Sequence, residues 1–170
     1  MVYANTNTSF LEGLNDVVQL NFENGDKYKG QVDYFIIRNK EINCMHGIGF
    51  YLFKNSYYCK GSFRNNKTHG YGIFSSENRQ SYEGSFKEGN IEGNGIMIYP
   101  DGRIYKGYFK NNNKNGYGVM NYQEGRIYVE GSRYEGSWKN NKRDGKGVMI
   151  YLDDGRRLEG LFKEKTFIRE

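Results

Sequence analysis

The chain has little cysteine, histidine or proline, and no long apolar run. Cys44 and Cys59 are the only cysteines in 170 residues. They are too few and too unpatterned for a disulfide framework or a zinc site, so a reducing compartment is expected. No apolar run reaches the roughly 18 residues from which a membrane-spanning helix is read, and no basic, apolar, small-residue leader opens the chain. Val2 excludes N-myristoylation. These absences predict a cytoplasmic protein. Hydrophobic residues make up only 36% of the sequence, and aromatics at 16% supply much of that. Any core is therefore thin and aromatic.

The chemistry-bearing residues are equally sparse. The two histidines, His46 and His69, each stand just before a Gly-x-Gly, where a turn is expected, and neither has a Ser or Cys nearby in a nucleophile motif. The Gly-x-Gly pairs are not phosphate loops, because no helix pattern follows and no Gly-Lys-Ser/Thr occurs. Asp and Glu are scattered through turns without metal-ligand spacing. No enzyme is expected, with no catalytic residues, no metal and no cofactor. Asn, Lys, Ile and Tyr are abundant while Ala4 and Pro100 are each the only one of their kind. That bias fits an A/T-rich genome better than a functional demand.

Glycine is plentiful, with 23 in the chain, and it recurs at a fixed period. The stretch Tyr82 to Tyr105, YEGSFKEGNIEGNGIMIYPDGRIY, contains the whole unit: Tyr82, Gly84 and Phe86 two apart, a polar turn, Gly93 and Gly95, a short apolar run, and a second turn at Pro100-Asp101-Gly102. The first segment recurs at Tyr28, Cys59, Tyr105 and Tyr134, and the glycine pair at Gly47/Gly49, Gly70/Gly72, Gly116/Gly118 and Gly145/Gly147. From Gly61 to Gly84 and from Gly84 to Gly107 the step is 23 residues. A period of this length marks one array of stacked repeats rather than two compact domains.

The expected organisation is an N-terminal tail or cap over residues 1–17, a repeat array over 18–162 and a C-terminal tail over 163–170. The array starts with half a repeat, continues through five that carry a Gly-x-Gly, and ends with the start of a sixth at Leu158-Glu159-Gly160-Leu161-Phe162. Two repeats are longer than the others and place insertions near residues 33–46 and 126–133. The first insertion contains Tyr34, Phe35, Ile36 and Ile37, which predicts lengthened strands or a packed loop.

Each unit reads as a β-hairpin, because its apolar positions alternate by two. Alternation puts Tyr82, Phe86, Tyr99, Tyr105, Phe109, Tyr122, Tyr134, Trp138 and Tyr151 on one face together with the glycines. A ring can lie flat against backbone where a neighbour has no side chain. An isolated hairpin is marginal in water, so stacking on neighbours is required. The opposite parity carries Ile73, Ile96, Ile98, Tyr108, Tyr117, Val119, Val148 and Ile150, an apolar stripe on the side that alternation would leave solvated. Such a stripe is a candidate partner site.

The unit resembles the MORN repeat (membrane occupation and recognition nexus), whose pattern YxGxWxxxxxxGxGxxxxxxGxxY it matches over about residues 18–162. Cys59 and Leu158 replace the Tyr, Val32 replaces the aromatic, and Ser76 stands where Tyr99 stands in the next repeat. The resemblance implies an all-β fold: an elongated single-layer antiparallel array of consecutive hairpins, a twisted rod with a groove. It also implies a non-enzymatic scaffold or adaptor that binds a peptide, helix or other subunit, and it allows a homodimer. With the composition it suggests a protist source and an axonemal (radial-spoke-like), cytoskeletal or submembrane assembly.

Charge supplies an alternative. The turns before the Gly-x-Gly pairs together carry +5 and the opposite corners are each neutral, which predicts a basic edge at Arg64, Lys67, Lys110, Lys114, Lys139, Lys142 and Arg143. Such an edge fits anionic phospholipid headgroups. Nucleic acid is not expected, because the rings face the core and not the basic edge.

Overall fold

The computed structural model describes residues 8–37, 40–122 and 131–168. It divides into two units, residues 1–90 and 91–170. The described residues form thirteen strands and one short 3-10 turn, with no α-helix.

The first unit holds the 3-10 turn Ser9–Leu11 followed by β1 (Val17–Asn21), β2 (Lys27–Ile37), β3 (Lys40–Leu52), β4 (Tyr58–Arg64), β5 (Lys67–Ser75) and β6 (Ser81–Lys87). Every strand pairs antiparallel with its neighbour in sequence. The first insertion is taken up by strand length, since β2 and β3 stay paired out to Ile37 and Lys40. In the described part of the N-terminal segment Leu11 is buried, and Lys29 Nζ donates to Thr8 Oγ1 at 3.2 Å. A core of Tyr28, Val32, Met45, Cys59 and Phe63 fills the aromatic face.

The second unit holds β7 (Asn90–Ile98), β8 (Ile104–Lys110), β9 (Asn113–Tyr122), β10 (Ser132–Lys139), β11 (Lys142–Tyr151), β12 (Arg157–Lys163) and β13 (Thr166–Ile168), again paired antiparallel in sequence order. Where a charged tail was expected, β13 pairs with β12 and sets the Phe167 ring 5.3 Å from Phe162. The sixth repeat thus has its return strand. The second insertion falls mostly on 123–130, outside the described residues.

The glycine pattern has a mechanical cause. Gly107 faces Gly118 and Gly136 faces Gly147 across the hairpin, and the Tyr105 and Tyr134 rings lie over them, so a Cβ at Gly118 or Gly147 would collide with the hydroxyl. The hydroxyls donate to the backbone, Tyr105 to Tyr108 O at 3.1 Å and Tyr134 to Ser137 O at 3.0 Å. Each buried phenol therefore has its partner, and burial holds Tyr134 up at about 12. The first glycine of a Gly-x-Gly has a different task. Gly116 and Gly145 have φ of 64° and 104°, a region open to glycine at little cost, at the bulges where the register slips by two residues.

The hairpin tips explain part of the asparagine content. Asn65-Asn66, Asn111-Asn112 and Asn140-Asn141 all have positive φ between 47° and 67°, the two-residue turn whose twist suits a hairpin. The second Asn reaches the preceding hairpin. Asn141 N donates to Lys114 O at 3.1 Å while its Oδ1 accepts from Lys114 N at 2.8 Å. Asn112 does the same at Ile91, and Asn66 at Met45. These asparagines satisfy strand-edge groups that the bulge leaves open, a structural demand that the compositional reading missed.

Candidate protein-binding faces

On the aromatic face Tyr82, Phe86, Tyr105, Phe109, Tyr122, Tyr134 and Trp138 are buried, and Tyr99 and Tyr151 are half-buried. The rings pack edge to face, Tyr105 against Trp138 at 5.3 Å and Tyr134 against Trp138 at 5.2 Å. Trp138 Nε1 donates to Gly118 O at 3.1 Å.

Two members of the expected basic edge belong to this face. With the turn confined to Asn140-Asn141 and Asn111-Asn112, strands resume at Asn113 and Lys142. Strand parity then puts Lys114 and Arg143, two residues before Gly116 and Gly145, among the rings. Lys114 is only 8% exposed, and its Nζ lies 5.0, 5.7 and 5.4 Å from the centroids of Tyr99, Tyr105 and Trp138. It donates to Tyr99 Oη at 2.9 Å. Burial pulls its pKa down to about 8, and the positive charges of Arg103 and Lys165 pull the same way. Arg143 lies 5.6 Å from both Tyr134 and Phe162 and donates to Lys165 O at 2.7 Å.

The rest of that edge is partly neutralised. Arg64 pairs with Glu88 at 2.8 Å, and Lys142 with Glu164 at 2.9 Å. Lys67, Lys110 and Lys139 have no ion-pair partner among the described residues. His46 and His69 lie in β3 and β5 and not in turns, and His69 Nδ1 sits 3.1 Å from Glu88.

The opposite face of the second unit carries the apolar stripe. Ile96, Ile98, Tyr108 and Tyr117 are 37%, 40%, 38% and 60% exposed. Val119, Val148 and Ile150 are half-buried, as is Ile73 in the first unit. The stripe is not continuous. Register sets Lys106 between Ile96 and Val119, and Glu135 between Val119 and Val148. Return strands supply the apolar residues and most forward strands the charges. On β7 and β8 Ile98 faces Ile104, and Lys106, opposite Ile96, stands between Ile104 and Tyr108 on the same face. Farther along, Tyr117, Glu135, Lys146, Val148 and Ile150 help line an open cleft of about 580 Å³. There the Tyr117 hydroxyl donates to Glu135, which Arg133 Nη2 also holds at 2.6 Å.

Comparison with protein families decides what kind of array this is. The MORN repeat matches at residues 59–80, 82–102, 105–125 and 134–156, just over half of the chain. The chain belongs to the MORN-repeat family. The MORN match begins at Cys59, although the glycine and tyrosine geometry of β2 and β3 is of the same kind. Comparison with curated proteins gave no match. Among solved structures, the TCP domain of SAS-4 (dCPAP) of Drosophila melanogaster, in complex with a proline-rich motif of Ana2 (dSTIL), aligns at 14% identity and a TM-score of 0.42, over 86% of this chain and 84% of that one. The G-box domain of the microcephaly protein CPAP aligns at 16% identity and a TM-score of 0.23, over 86% and 99%. At these scores neither likeness bears on the function of this MORN array.

Proposed function

We propose that this MORN-repeat chain is a non-enzymatic binding module that holds a protein partner in a cytoskeletal, axonemal or submembrane assembly. The observation that carries this reading is the run of large apolar side chains left exposed on adjacent strands, Ile96 and Ile98 on β7, Tyr108 on β8 and Tyr117 on β9. Residues that serve only solubility have no reason to be apolar on one face of three neighbouring strands. The partner surface that fits is an apolar ridge of a helix or strand with charged flanks, since Lys106 and Glu135 interrupt the patch. The lipid reading has less support, because Arg64 and Lys142 are paired and Lys114 is buried. Family membership accords with a repeat scaffold, and no described helix is long and apolar enough to cross a membrane.

The test is capture of a partner by the full chain against two variants. Ile98→Asp with Tyr117→Asp is expected to lose the partner and keep its β-sheet circular dichroism. Charge reversal at Lys67, Lys110 and Lys139 is expected to keep it. The opposite pattern, with salt-sensitive sedimentation on phosphatidylserine vesicles that only the charge reversal abolishes, would replace this reading with the lipid one.

A further inference from the structure

The aromatic face of residues 91–170 holds two cations that the repeat does not need. The position occupied by Lys114 and Arg143 is taken by Met45, Thr68, Ile91 and Phe167 in the other repeats, and Met45 is a buried core residue there. Burying an ammonium among rings is unfavourable unless its hydrogen bonds are met. An ammonium has three N–H donors. Among the described residues Lys114 uses one, on Tyr99 Oη. Among the described residues no carboxylate lies within ion-pair distance of it, and the described charges that act on it, Arg103 and Lys165, are both positive.

We infer that Lys114 and Arg143 receive the carboxylates of an acidic protein segment laid across this face. Three observations converge. The sites are electropositive and short of acceptors, and the chain as a whole carries +5. The rings around Lys114, Tyr99, Tyr105 and Trp138, give an apolar rim on which the methylenes of a glutamate side chain can pack while its carboxylate reaches Nζ. β10 separates β9 from β11, so the strands that carry the two cations lie two strand spacings apart across the sheet, about 10 Å, a separation matched by acidic residues two helical turns apart or three residues apart in an extended chain. A flat membrane surface would meet the outlying Lys110 and Lys139 first, whereas a recessed ammonium is reached by a single side chain. This surface is distinct from the apolar stripe and stands or falls separately from it.

The experiment uses the full chain and a fluorescent peptide repeating glutamate-leucine-leucine, so that glutamates recur every third residue, with the glutamine-for-glutamate peptide and phosphatidylserine vesicles as the other arms. Lys114→Met is the informative variant, because methionine already fills the same position at Met45. The expected result is binding of the glutamate peptide, loss of about tenfold or more with the glutamine peptide, and a similar loss in Lys114→Met. The Ile98→Asp, Tyr117→Asp variant should bind the glutamate peptide normally. Equal binding of both peptides, unchanged affinity in a folded Lys114→Met protein, no binding at millimolar peptide, or Lys114-dependent binding to vesicles alone would each overturn the inference.

Discussion

Replacing Lys114 by methionine should make the protein more stable, and the size of the gain follows from where the ammonium sits. A pKa brought down from 10.5 to about 8, at about 1.4 kcal/mol per pH unit, means that the charged form is disfavoured in the fold by about 3 kcal/mol relative to water. Contacts of the ammonium with three ring faces recover part of that, about 0.5–2 kcal/mol. Methionine has the length and flexibility to fill the space the lysine stem now fills. The net expectation is a gain of about 1–2 kcal/mol at pH 7, or about 2–8 °C in thermal midpoint for a chain of this size. The sign of the pH dependence is fixed as well. Between about 8 and 10.5 the unfolded lysine keeps a proton that the folded one has lost, so the wild-type protein gains stability as pH rises through that window. Lys114→Met has no such term, and the difference between the two should shrink toward pH 10. Thermal melts followed by circular dichroism at pH 7 and pH 10 would measure both. A lower midpoint for Lys114→Met at pH 7, or a difference that grows with pH, would refute the reasoning.

Other substitutions probe the remaining parts of the scaffold. Trp138→Ala removes a ring packed between Tyr105 and Tyr134 and should cost about 3–5 kcal/mol in urea denaturation. Gly147→Ala should cost about 1–3 kcal/mol, the usual penalty of overpacking, because the added methyl meets the Tyr134 hydroxyl; a neutral effect would mean the ring is free to move. Asn141→Gly keeps a turn open to positive φ but removes the acceptor from Lys114 N–H. It should cost about 1–3 kcal/mol and speed hydrogen exchange at the Lys114 amide specifically.

Much of this architecture is legible in the sequence because strand parity is exact. Once Tyr82, Gly84 and Phe86 are seen two apart, the faces of every repeat follow, and the fold class with them. Parity also contained the placement of Lys114. It was overlooked because the run Asn111-Asn112-Asn113-Lys114-Asn115 has the composition of a loop, while the turn itself is only two residues long. The interruption of the apolar stripe by Lys106 and Glu135 needs cross-strand register, which Gly107 facing Gly118 supplies. The asparagine links depend on how one hairpin meets the next. Their trace in the sequence is a constant offset, with Asn66, Asn112 and Asn141 each four residues before the first glycine of a pair.

Those links give the array a direction. Each hairpin tip reaches back and binds the main chain of the hairpin before it, as Asn112 does at Ile91, Asn141 at Lys114 and Lys165 at Arg143. A duplicated unit therefore arrives with the donor it needs for its predecessor and presents the same open backbone to its successor. A gene that lengthens or shortens by whole hairpin modules stays self-consistent at every internal joint.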